Sequence, residues 1–208
     1  MLRSSLLLGL ALLAPLQDKT PPPPAAPQAT GGAPAFTSGG RLKRPAHYRE
    51  WIYLTSGLDM SYNPGAGKPS HSIFDNVFVN PDSWARFQRT GTWPDGTTLL
   101  IENRTAESST SINRRGQTQS VAVLGLEVHV KDASIPGGWG FYSFDSDAPA
   151  SLIPRSADCY ACHQAHAAVD TTFVQFYPTL LPIARQKNTL SREYLHELAT
   201  PAPSTSAP

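Results

Sequence analysis

The sequence predicts an α+β domain, mainly an antiparallel β-sheet with flanking helices, and three observations carry that expectation. Four runs rich in β-branched and aromatic residues follow one another: Ile73 to Val79, Thr97 to Arg104, Ser120 to Lys131 and Trp139 to Phe144. Turn formers such as Pro94-Asp95-Gly96 and Pro136-Gly137-Gly138 separate them. The third run alternates, with Ala122, Leu124, Leu126, Val128 and Val130 on one face and Glu127 and His129 on the other. Such alternation belongs to a sheet with one face packed and one face solvated.

In chain order, Met1-Leu2-Arg3 supplies a positive start and Ser5 to Ala14 an apolar run too short to span a bilayer. Residues 1–18 therefore read as a secretion signal; no clear A-x-A site follows, so a retained anchor is the alternative. Residues 19–40, with Pro21-Pro22-Pro23-Pro24 and Gly39-Gly40, have almost nothing to bury and read as a disordered spacer, as do residues 200–208. Residues 41–199 are then one domain. A helix is expected from Pro45 to Ser56, with Tyr48, Trp51 and Ile52 on one face and Gly57 as its stop. A second is expected after Asn80 as cap, with Pro81 first and Gly91 beyond its end. A last helix, Ser191 to Leu198, should turn Tyr194, Leu195 and Leu198 inward. The net charge of +1 leaves no basic footprint for nucleic acid.

The chemistry is concentrated in Cys159-Tyr160-Ala161-Cys162-His163. C-x-x-C-H is the attachment motif of a c-type haem. Two thiols at this spacing each add across one haem vinyl group, and His163 then lies under the iron as its axial ligand. A redox-active disulfide and half of a zinc site are the competing readings. A zinc ribbon wants a second Cys pair, and the chain has only two Cys. A thioredoxin-like pair would follow the first strand of a βαβ unit, whereas this one follows a run of strands. Export fits haem c, which is attached outside the cytoplasm, so a periplasmic location is expected.

Five strings in order also resemble the cytochrome P460 family: Phe74 to Pro81, Gly91 to Thr97, Val130-Lys131-Asp132, Trp139-Gly140-Phe141, and Val169 to Pro178 after the motif. The resemblance runs from about Tyr48 to Leu181. It implies a homodimer of mostly antiparallel sheet, with haem c between sheet and helices and an iron held by the motif histidine alone. The family includes enzymes that oxidise hydroxylamine and cytochromes c′-β that bind nitric oxide or carbon monoxide. In the hydroxylamine-oxidising members a lysine bonds to the haem ring, and the resemblance puts it near the end of the strand after Pro94-Asp95-Gly96-Thr97. Here that strand has no lysine; the five lysines are Lys19, Lys43, Lys68, Lys131 and Lys187.

Strand parity puts Leu99, Ile101 and Asn103 on one face and Leu100, Glu102 and Arg104 on the other. Asn103 is thus a candidate at the place of the missing lysine, with Glu102 the proton-handling candidate if the register is reversed. Phe74 is the candidate aromatic cap of the haem. Met60 is the only internal Met, as a six-coordinate electron carrier would need. His166 lies on the same side of a helix as His163 and cannot cross the haem. Glu127 and His129 share a face expected to be solvated. The expected function is binding of a small nitrogen-containing ligand such as nitric oxide at a haem c with an open side. Hydroxylamine oxidation is the alternative, electron transfer to a cytochrome partner the third reading.

Overall fold

The computed structural model describes residues 32–200, except 63, 64, 68, 109 and 110. The predicted signal, most of the spacer, the tail beyond residue 200, Lys19 and Lys68 lie outside the described residues. One five-stranded sheet forms the body, with β1 (Ile52–Leu58), β2 (Ile73–Val79), β3 (Thr98–Ser108), β4 (Gln117–Lys131) and β5 (Trp139–Phe144) side by side in chain order. Every neighbouring pair is antiparallel. Helix α1 (Pro81–Thr90) joins β2 to β3, and α2 (Asp158–His166), α3 (Leu181–Gln186) and α4 (Arg192–Ala199) follow the sheet. The α+β class is as the sequence predicts.

The four predicted strands are present, and α1 starts and stops where its signals lie, after Asn80 and before a left-handed Gly91. The helix expected from Pro45 to Ser56 is not there. Only Tyr48–Glu50 makes a 3-10 turn, and the chain then becomes β1. Tyr48 and Trp51 are buried as the helical spacing required. However, Ile52, Tyr53 and Thr55 are better placed in a strand, where β2 supplies a pairing partner. Gly57 stops nothing: it lies in β1, and Met60 Sδ packs against the place its side chain would occupy. The spacer also ends earlier than expected, since Phe36 pairs with Leu42 and packs beside Tyr142. In α4, capped by Ser191, Tyr194 is buried, but Leu195 and Leu198 are exposed because the helix is only two turns long and meets the body on one side.

Both faces of the sheet are covered. On one, Val77, Val79, Leu99, Trp139 and Phe141 pack with α1, Tyr160 of α2 and the segment carrying Val169, Val174 and Leu180. On the other, Leu100, Leu126, Val128, Val130, Tyr142 and Phe144 pack under Leu42, Tyr48 and Trp51 from the chain before β1. The single alternating face expected of β4 holds only for Leu126, Val128 and Val130. The register shifts between Asn103 and Arg104, opposite Gly125 and Val123, so parity breaks there and Ala122 and Leu124 emerge exposed. Arg104 spans the irregular stretch, donating from Nη1 to the carbonyls of Ser120 and Val121 at 2.9 Å each.

Under the second face lies Glu102, 3 % exposed, with three donors: Tyr48 Oη, Arg104 Nε and Arg49 Nη2, the last at 2.6 Å. Burial alone would raise its carboxyl. The bonds from Arg104 and Tyr48 and the two guanidinium charges outweigh it and hold the group below the ordinary glutamate range. The same burial, with Glu102 beside it, pushes Tyr48 up to about 12. The far edge of the sheet is closed by Tyr160, whose hydroxyl accepts from the Phe141 amide and donates to the Ile153 carbonyl, both at 3.0 Å.

Two predictions follow from these bonds. Replacing Glu102 by Gln should destabilise the protein by about 2 kcal/mol at pH 7, because it takes the charged acceptor from the half-buried Arg104 guanidinium and from the Tyr48 hydroxyl. A carboxyl depressed in the fold stabilises above its unfolded value, about 4.3, and that stabilisation is lost as pH falls through the lower folded value. The melting-temperature gap between wild type and E102Q should therefore shrink on acidification; a gap constant from pH 7 to pH 3 would contradict it. Tyr160→Phe leaves one buried amide and one carbonyl unpaired and should lower stability by about 1–3 kcal/mol in denaturant titration.

Candidate functional site

Helix α2 carries the five-residue motif across the first face of the sheet. Its single buried residue, Tyr160, fixes it there: the ring stacks on Phe141 with centroids 4.2 Å apart and planes 1° apart. Cys159 and Cys162, three positions apart on one helix side, are then left as free thiols, the first exposed and the second half-buried. His163 sits in the last turn, among Phe173, Phe141 and His129 at centroid distances of 4.2, 4.8 and 4.8 Å.

The orientation of His163 is set by one bond. Nδ1 lies 2.8 Å from the carbonyl oxygen of Thr171. A carbonyl only accepts, so Nδ1 carries the proton and Nε2 keeps its lone pair. Burial lowers the ring's affinity for a second proton, against the opposing pull of the Thr171 bond, which keeps the imidazole neutral as a ligand must be. His129 stacks on Phe141 at 3.8 Å and meets His163 edge-on. That is ordinary ring contact, with no room for a further ring between the two imidazoles. His129 is therefore a neighbour of His163, not an opposing ligand.

His163 and His129 line a cavity of ≈ 110 Å³ with Leu99, Ile101, Phe173 and Tyr177. A second cavity, ≈ 200 Å³, shares Tyr62, Ile101, Glu127, Phe173 and Tyr177 with it and extends to Asp75, Asn103 and Met60. Tyr62 rests on Phe173 and Phe176 at 5.5 and 6.2 Å, forming the outer wall. Burial pushes the carboxyl of Asp75 up, against the amide of Asn103, which donates to it at 2.8 Å. Burial and then the charge of Asp75 push Glu127 up as well. A larger groove, ≈ 460 Å³, lies at residues 32–51 and contains none of the motif residues.

Of the residues singled out from sequence, His163 lines the first of these adjacent cavities and Asn103 the second, while Cys159 and Cys162 stand with His163 on α2. Glu102 does not: it shares the opposite face with Leu100 and is spent on its ion pairs. Phe74 is corrected in the same way, since it pairs with Arg104 and Leu58, on the face away from His163. His166 is exposed, 3.3 Å from Glu197. Glu127 and His129, expected in water, both line the cavity: Glu127 is still exposed, as expected, whereas His129 is half-buried against Phe141. Asp75, Tyr62, Phe173 and Thr171 were not anticipated as site residues. Parity with Val77 marks Asp75, and the string Val169 to Pro178 contains the other two downstream residues, but no local signal marks Tyr62.

The donor set fits a haem c. Two thiols at vinyl spacing stand beside an imidazole whose free nitrogen is Nε2, and the neighbouring walls are mainly apolar. Among the described residues no three His, Cys, Asp or Glu side chains converge as a metal-ion site would need.

A comparison with curated proteins found no match. The family model for cytochrome P460 matches residues 45–174, more than half of the 208 residues. The matched span holds all five strands, the C-x-x-C-H motif and the Thr171 carbonyl that orients its histidine. The chain belongs to the cytochrome P460 family, whose cofactor is haem c.

Proposed function

We propose that this chain is an exported, periplasmic mono-haem c protein that binds a small nitrogen-containing ligand such as nitric oxide. Cys159 and Cys162 would hold the haem through thioethers to its two vinyl groups, and Nε2 of His163 would be the ligand to its iron. The observation that carries this reading is the 2.8 Å bond from His163 Nδ1 to Thr171, which assigns Nε2 as the free donor. When bound, the haem supplies an iron able to take up a diatomic ligand or an amine and to exchange one electron. Leu99, Ile101 and the rings of Phe173 and Tyr177 line the cavity beside His163 and would keep water from it. The resemblance behind the homodimer expectation is supported by the β3–β4 hairpin, whose Ile112 and Val121 are 90 % and 95 % exposed; a second copy is the proposed cover. A cytochrome is the proposed redox partner.

Ligand binding is preferred over hydroxylamine oxidation because β3 carries no lysine. Among the described lysines, Lys43 lines the distant groove, Lys131 pairs with Asp170 and Lys187 packs beside Gly91. One observation favours the enzyme as a second reading: Asp75 and Glu127, both pushed toward holding a proton, line the cavity that joins His163's. Met60 lines that cavity too, which keeps the electron carrier as the third reading.

Colour retained on acid-acetone extraction, and lost in the Cys159→Ala, Cys162→Ala double variant, is the expected result; haem extracting freely from wild type would overturn the attachment. Ferrous protein should bind nitric oxide, show an ordinary haem c Soret band and turn over little hydroxylamine. Mass spectrometry of tryptic haem peptides should find only the Cys159–Cys162 peptide. A haem joined also to a lysine peptide would establish the second reading instead.

A further inference from the structure

The turn after α2 is built against backbone preference. Val169 and Thr172 pair across it, the amide of each donating to the carbonyl of the other at 3.2 and 2.8 Å. The two residues between them, Asp170 and Thr171, are both left-handed, with φ 47 and 57. Two-residue turns of this hand favour Asn and Gly, and a β-branched residue there is an outlier. Such strain persists only where the surroundings over-determine it, and it gathers at functional sites.

The surroundings do over-determine this turn. On one side Trp93 Nε1 donates to Thr172 Oγ1 at 2.8 Å, and that hydroxyl donates to the Val169 carbonyl at 2.6 Å. On the other side Lys131, at the end of β4, pairs through Nζ with Asp170 and lies 5.6 Å over the Trp139 ring. The Thr171 hydroxyl, by contrast, is buried with no hydrogen-bond partner. Its side chain is not what the turn delivers. The delivered group is the Thr171 carbonyl, placed against Nδ1 of His163.

We propose that the Asp170-Thr171 turn, pinned to β4 by Lys131, is a positioning device that sets the strength of the His163 Nδ1–H···O=C bond and thereby the electron donation of Nε2. This rests on His163 being the iron ligand. A stronger bond gives the imidazole more anionic character, favours the ferric state and lowers the reduction potential. Lys131 and Asp170 act through the turn as positioning residues and touch nothing that reacts.

Charge and positioning make opposite predictions at Lys131. Removing a nearby positive charge by itself favours ferric iron and lowers the potential. Releasing the turn weakens the Thr171 bond and raises it. The fold itself does not hang on this half-exposed pair, since Trp93 still holds the turn through Thr172, so the variant should remain folded.

The test is a dithionite titration of the holoprotein, read optically, for wild type, Lys131→Gln and Lys131→Arg. The expected result is an upward shift of the potential in K131Q and none in K131R, which keeps the ion pair. Proton NMR of the ferrous carbon monoxide form should show the His163 Nδ1 proton shifted upfield and exchanging faster in K131Q. A potential that falls or stays unchanged in K131Q, or an equal shift in K131R, would overturn the proposal. A His163→Ala protein with a wild-type spectrum would overturn the ligand assignment instead, which keeps the two failures distinct.

Discussion

A carbonyl oxygen accepts hydrogen bonds and never donates them, so the contact between Thr171 and Nδ1 of His163 fixes both the tautomer and the tilt of one imidazole ring. Much of the molecule is arranged to make that contact. Tyr160 anchors α2 on Phe141 and closes the edge of β5, which sets the height of His163 above the sheet. Phe173, Phe141 and His129 hold the ring from three sides. The strained turn at Asp170 and Thr171 supplies the acceptor, and Trp93, from the loop before β3, braces it.

The sheet serves this site by separating two tasks. One face takes the chain before β1, where Tyr48, Arg49 and Arg104 satisfy Glu102 in a buried cluster that stabilises the fold. The other face, one residue out of phase, offers Leu99, Ile101 and Asn103 from β3 and Glu127 and His129 from β4 to the cavities. Adjacent residues on one strand, Glu102 and Asn103, therefore have unrelated roles. The carboxyl of Glu102 is held low by its hydrogen bonds and cations, whereas burial is the largest influence on those of Asp75 and Glu127 and pushes them up.

Features fixed by local chemistry were legible in the sequence. The bounds of α1, the span of β5 and the thiol spacing of α2 depend on neighbouring residues, and each lies where its signal stood, although the Asn80 side chain accepts from the Thr98 amide rather than capping α1. Features fixed by pairing were not. Ile52 to Leu58 carries a helical spacing at its start, and only β2 beside it makes it a strand. The alternation of β4 was real, but identifying its polar face as solvated assumed one covered face; the haem-family string after the motif builds the second cover. Phe74 and Glu102 were misjudged for the same reason, since parity orders residues along a strand without saying which face holds the site. Tyr62 reaches the cavity from an irregular loop, where no period exists to be read.

The proposal that His163 alone, among the protein's side chains, binds the iron is open to electron paramagnetic resonance of the ferric holoprotein at neutral pH. A five-coordinate iron gives the axial high-spin signal, unchanged when Met60 is replaced by Leu, and that is the expected result. A rhombic low-spin signal in wild type that becomes high-spin in that variant would put the Met60 sulfur on the iron and overturn the proposal.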